Sequence, residues 1–298
     1  MPNLKSFAEK ARFGALHVRR LAGFGPKPPV HDAEQAERAA SVRLATPDTT
    51  HFSQAYCLNC GAVLVTPHCG DCGQARARRF DLMAVGSLAW ASARQFEMSL
   101  VQGFLAVLKA PGTVAREFVL GARKRHVHPL TLLLTAIGLM LLVATQSRYL
   151  DTRDAQLTKA MELVRAYGNW SFSLGIVAIL AATQSVLRWR QPFNITEHLV
   201  LGVYTHFLII CASALNLLPT LIWRDAAFLA AHKASSAWYM DGVEALLLMI
   251  TCQQFFLLEW RKHWWRLVLA AAVFVIVKTA LLRLYAVAIV KLVLAQLA

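Results

Sequence analysis

The chain has 298 residues, is 57% hydrophobic with a mean hydropathy of +0.45, and carries a formal net charge of +14. An ordinary soluble domain is about 45–50% apolar, and here the excess lies almost wholly after residue 129, so the composition describes an integral membrane protein with a polar N-terminal part. Of the 31 Lys and Arg residues, 17 precede Pro129 and more sit in short loops between apolar runs; a charge that follows topology in this way argues against a nucleic-acid binder.

Residues 1–54 mix charge with Ala, Pro and Gly, and the stretch PKPPVHDAEQAERAA has no apolar face. A disordered basic tail is expected, with at most a short basic helix near residues 4–20. The start lacks the continuous apolar core of a secretory signal, so the first span is expected to act as the targeting signal.

Residues 55–75 hold YCLNCGAVLVTPHCGDCGQ, with two CxxCG units, Cys57/Cys60 and Cys69/Cys72, eight residues apart. Four thiolates at this spacing suit one tetrahedral zinc, each pair delivered from a tight turn. Gly61 and Gly73 free the backbone to turn beneath the metal. The link GAVLVTPH is long enough for a hairpin that returns the second pair, and the module reads as a small zinc ribbon. Iron meets the same ligand criteria. Such a closed site holds a fold together and does not catalyse. Cys211 and Cys252 lie alone in apolar runs and read as small hydrophobes. No other internal repeat is evident.

Residues 80–128 form the approach to the first span. Apolar residues at Val85, Leu88, Phe96, Leu100, Val101, Phe104, Leu105 and Leu108 recur at steps of three and four, the pattern of an amphipathic interfacial helix, and Pro111-Gly112 ends it. A short helix follows, closed by Gly121. Arg123, Lys124, Arg125 and His126 then make a basic collar. Residues 129–298 hold about five apolar runs, near 130–146, 170–187, 198–222, 242–258 and 267–287, each able to cross about 30 Å of hydrocarbon.

The basic segments ARKRHVH, LRWRQ and RKHWWR fall on one side if every run spans, and tryptophans cluster at the run ends. The basic side is expected to be the cytoplasm, which puts the N-terminus and the ribbon there, at what is expected to be a bacterial inner membrane, and the tryptophans mark the span ends. Within the spans the candidate functional polar residues are Glu197, His198, His206, Gln253 and Lys278. With Gln184 and Gln254 they are read as lining an inward-facing pathway or as hydrogen-bond glue between helices. Glu197, His198 and His206 cannot converge from one helix, and no catalytic motif occurs.

The order of motifs, CxxCG…CxxCGQ, a segment ending in PG, EFVLGARKRHVHP, then TEHLV…THF, resembles a bacterial family of uncharacterised membrane proteins. That domain of unknown function is marked by a Gly-Lys-Arg motif before its first span. Here Gly121-Ala122-Arg123 has Ala where Lys is usual, and His126 stands where Tyr is common. The resemblance implies the architecture and no activity. The expectation is therefore an all-α polytopic membrane protein with a cytoplasmic zinc ribbon. It would touch lipid and recruit a protein partner or regulate its own spans. The alternative is a small-solute or lipid transporter working around His206, Gln253 and Lys278.

Overall fold

The computed structural model describes residues 33–80, 99–147, 171–188 and 192–297. The expected helix near 4–20, most of the amphipathic segment before Ser99, the loop at 148–170, and Trp170 and Trp189 lie outside the described residues. The described residues form helices and no strand: α1 (Ala33–Ser41), α2 (Thr49–Phe52), α3 (Ser99–Lys109), α4 (Pro111–Val119), α5 (Pro129–Gln146), α6 (Ser171–Val186), α7 (Ile195–Leu217), α8 (Pro219–Ile222), α9 (Ala226–Phe255) and α10 (Trp260–Leu297). The all-α, membrane-type fold is as expected.

Three of these helices are long and apolar enough to cross a membrane: α5, α7 together with α8, and α10. The second apolar run is shorter; α6 has 16 residues. The fourth belongs to a helix of 30 residues, but Asp241, Glu244, Gln253 and Gln254 lower its hydropathy.

α7 is the central post, packing against α4, α5, α6 and α9. In its most apolar window 78% of residues are buried, against 28% for α5 and 22% for α10. The outward faces of α5 and α10 are studded with exposed Leu, Val and Ile, including Leu134, Leu139, Leu142, Ile276 and Leu284; apolar area left open on this scale marks a lipid-facing surface.

Local chemistry sets where the helices begin. Asn194 caps α7 in a reciprocal capping box, its side chain accepting from the Glu197 amide at 2.9 Å while Glu197 accepts from the Asn194 amide at 2.7 Å. Such a cap stabilises a helix by about 1 kcal/mol. His128 caps α5 through Nδ1, with Pro129 at the first helical position. Asp225 caps α9. Close backbone approaches lock the bundle: a Cβ on Gly112 would lie 2.1 Å from the Thr251 carbonyl oxygen, and one on Gly175 would lie 2.3 Å from the His206 ring.

Residues 33–54 depart from the expected disorder. α1, a 3-10 turn at Val42–Leu44 and α2 pack on the rest of the protein, burying Gln35, Ala39, Val42 and His51. α1 does have an inward face, the small and polar one of Gln35 and Ala39. His51 Nε2 bonds the Leu120 carbonyl at 2.8 Å, and Gln35 donates to Asp71 at 3.1 Å.

Candidate metal centre

The cysteine module consists of two similar turns twelve residues apart. In the first, the Gly61 amide donates to the Cys57 carbonyl, the Cys57 amide to Ala62 and the Leu64 amide to Ala55. In the second, Gly73 donates to Cys69, Cys69 to Gln74 and Arg76 to Pro67, every bond shifted by twelve positions. Each turn closes with its own antiparallel bridge, Tyr56 to Val63 and His68 to Ala75. The expected single hairpin across the link is thus replaced by a pair of equivalent hairpin turns, and the module is a repeat at short period. Gly61 and Gly73 adopt φ of +81° and +66°, the left-handed region that an L side chain enters at a cost.

The turns bring Cys57, Cys60, Cys69 and Cys72 together with all four sulfurs within 4.8 Å of one another. Cys57 and Cys72 are 3.7 Å apart, and Cys60 and Cys69 3.5 Å. Tetrahedral coordination with metal–sulfur bonds near 2.3 Å sets sulfurs about 3.8 Å apart, so the cluster could hold a metal ion. The electrostatics agree. The hydrogen bond between Cys57 and Cys72 raises the first thiol and holds the second down at about 4, while burial pushes Cys60 up to about 12. Four thiols packed this closely cannot all ionise unaided, and a divalent cation is the species that lets them.

The module is docked, and the docking surface is the collar. Asn59, between the first two cysteines, accepts through Oδ1 from the Arg125 amide at 3.0 Å, and its carbonyl accepts from Arg125 Nη2 at 2.7 Å. Gln74, just past the second pair, donates to the Gly121 carbonyl at 2.7 Å and accepts from the amides of Arg123 and Lys124 at 3.0 Å each. Lys124 Nζ donates to the Cys72 carbonyl at 2.8 Å. Gly121, at φ +109°, lets the chain pass beneath Leu58 and Ala77 where a Cβ would clash.

The collar is therefore no free basic patch. Arg123 stacks its guanidinium 3.9 Å above the Phe80 ring, and burial lowers it to about 10. Arg125 and His126 face Glu117, at 3.5 Å and 2.8 Å, with Arg43 at 3.3 Å on the other side. Burial works against the Glu117 charge, but the His126 hydrogen bond and the charges of His126, Arg125 and Arg43 outweigh it and hold the carboxyl at about 2. Burial, reinforced by the Arg123 charge, depresses His128 to about 4, in keeping with a neutral ring that accepts from the Leu130 amide.

Two further arginines stitch the module's surroundings to the helices. Arg79 binds Glu197 through Nε at 2.9 Å and Nη2 at 3.1 Å. Arg116 reaches the carbonyls of Arg43, Ala45 and Phe255 at 2.6, 2.8 and 2.6 Å.

The candidate polar residues of the spans each have contacts of their own. Glu197 is fully buried but bound to Arg79 and the α7 cap. Gln253 donates to the Leu258 carbonyl, and Gln254 accepts from the Gly112 amide. His206 packs on Gly175. His198 is fully buried beside Phe256, and neither of its ring nitrogens makes a hydrogen bond among the described residues. Lys278 pairs with Asp241 and Glu244, roughly 27 Å along α10 from Trp260 at 1.5 Å per residue.

Asn59, Gln74, Arg116 and Glu117 are not singled out by the sequence, and Arg79 stands there only within the basic run 75–79, as a contact for phospholipid or an acidic protein. Asn59 and Gln74 carried a signal, because each is a polar side chain inside or beside a ligand turn, where it is held rigidly enough to act as a bracket.

The fold and site define an all-α, membrane-type protein with a docked four-cysteine cluster. Residues 99–141, from α3 through most of α5, match a family described as "Protein of unknown function (DUF3667)". No curated protein and no solved structure matches the chain.

Proposed function

We propose that this protein is embedded in the bacterial inner membrane, with its N-terminus and cysteine module in the cytoplasm, and that the module is a regulatory scaffold built on one structural zinc. Cys57, Cys60, Cys69 and Cys72 would hold the ion, which supplies cross-linking between the two turns and leaves no open position for chemistry. The observation that carries this reading is the bracket formed by Asn59 and Gln74. Three consecutive amides of the collar, at Arg123, Lys124 and Arg125, are satisfied by side chains belonging to the ligand turns. Order in the turns thereby sets order in the segment that leads into α5. The module also presents Val63 and Val65, the latter 91% exposed, as the surface a protein partner would meet.

The test is affinity purification of the full-length protein in mild detergent beside a C57S/C60S variant at equal abundance, with zinc assayed in both. Zinc and a shared partner found with wild type alone support recruitment. Zinc in wild type with identical partner sets places the scaffold's role within the protein itself. Equal zinc in both samples sinks the reading.

A second reading, transport of a small solute or lipid, is favoured by His198. A fully buried imidazole whose nitrogens both lack hydrogen bonds to the described residues is costly and is suited to meeting a polar guest. Alanine at His198 or His206 should abolish transport and leave zinc content unchanged.

A further inference from the structure

Away from the cysteine module, α9 and α10 carry three ionisable side chains on their shared seam. Asp241 and Glu244, one turn apart on α9, both accept from Nζ of Lys278 on α10, the Glu244 contact at 2.7 Å. Phe274 lies on the other side of the ammonium, its ring centre 5.7 Å away. The Lys278 and Glu244 side chains are 13% and 12% exposed, whereas Asp241 is 45% exposed. Exposed Trp238 and Tyr239, just before Asp241, mark a membrane–water boundary at this level.

The charges do not balance. One ammonium can neutralise one carboxylate, and two carboxylates on one helical face repel each other strongly in a medium of low dielectric. Among the described residues, no compensating cation comes from the packed elements. α6 contains no charged residue. On α4, Arg116 is directed to the carbonyls of Arg43, Ala45 and Phe255, and Glu117 to the collar. On α7, Glu197, His198 and His206 all precede by at least ten residues the level set by the Tyr239–Asn216 hydrogen bond. Arg283, further along α10, is exposed. A metal cation is disfavoured by the ammonium at the centre, which leaves the smallest compensating species.

We propose that Asp241, Glu244 and Lys278 form a proton-binding site. A proton enters from the aqueous side past half-exposed Asp241 and resides on Glu244. Hydronium gives its proton to a Glu244 carboxylate oxygen, water leaves, and Lys278 turns its charge to Asp241, so the seam becomes neutral. Loss of that proton restores the shared ammonium and leaves one net negative charge between the helices, biasing how α9 and α10 pack. This gives the membrane domain a proton-linked input separate from the metal module. It rests on the membrane-embedded reading, and not on the zinc.

The experiment is infrared spectroscopy of the full-length protein in lipid nanodiscs at neutral pH, comparing wild type with E244Q and D241N. The expected result is a protonated-carboxyl C=O band in wild type that E244Q loses, that D241N also loses because one carboxylate then balances Lys278, and that alkaline titration removes. Should E244Q fail to fold, wild type grown with carboxyl-labelled 13C-glutamate serves instead; the band must then shift. A spectrum without the band, or a band indifferent to E244Q or to the label, overturns the proposal and leaves the triad as a hydrated ion-pair cross-link. Failure of the protein to enter nanodiscs would count against the membrane reading instead.

Discussion

Gln74 donates to the Gly121 carbonyl at 2.7 Å, joining the turn that carries Cys72 to the turn that ends α4. The same side chain accepts from two collar amides through one oxygen. Removing it orphans three backbone groups, and an unsatisfied buried group costs about 1–3 kcal/mol. Q74A should therefore lower the melting temperature in detergent more than N59A, which orphans the single Arg125 amide. Zinc content should stay near wild type in both, because neither residue is a ligand. Thermal denaturation followed by helical circular dichroism, with zinc assayed before melting, checks the order.

The two turn glycines should differ although both have positive φ. A Cβ on Gly61 would meet the Gln35 carbonyl oxygen at 2.1 Å, a rigid backbone atom, while one on Gly73 would meet only Lys124 Nζ at 3.2 Å. G73A should cost roughly the 1–2 kcal/mol of a left-handed alanine. G61A should cost more and displace α1, which protease sensitivity within residues 33–41 would report.

What was legible in the sequence, and what was not, divides along physical lines. Four cysteines at fixed spacing define a cluster by valence alone, and glycines after each pair announce positive φ. Apolar runs of spanning length need only be counted. The docking of the module was invisible because it depends on side chain to backbone bonds between segments about 50 residues apart, such as Gln74 to Lys124. α1 escaped notice because its buried face is Gln35 and Ala39. Lys278 was marked as unusual, but its partners Asp241 and Glu244 become evident only once α9 and α10 lie antiparallel.

Arg79 and Glu197 tie the module's C-terminal strap to the first turn of α7. Glu197 is 0% exposed, so among the described residues R79A leaves this buried carboxylate the Asn194 amide as its hydrogen-bond donor, with the Arg123 charge nearby. Breaking a buried pair from one side costs about 3–5 kcal/mol, and the partial exposure of Arg79 brings the expected loss toward the lower end. R79A/E197Q should recover part of it. Melting temperatures of the two single variants and the double variant measure the coupling.

Acid should loosen the collar in two stages. His128 is held at about 4, below its unfolded value near 6.5, so the unfolded chain binds more protons between those values and stability falls as pH drops through that window. Glu117, held at about 2 against about 4.5 when unfolded, contributes stability that is complete above the unfolded value and is lost as pH falls toward 2. H128N, which retains a capping side chain without a titrating ring, should flatten the first stage and spare the second. Melting curves recorded across the acid range compare the two proteins.

The most direct measurement is hydrogen–deuterium exchange of the full-length protein in detergent, before and after zinc chelation, with metal content assayed on the same samples. The amides of Arg123, Lys124 and Arg125 should be protected with the metal bound and lose protection together with Cys57 and Cys69 when it is removed. Continued protection of those three amides after complete zinc loss would contradict a metal-ordered bracket on the approach to α5.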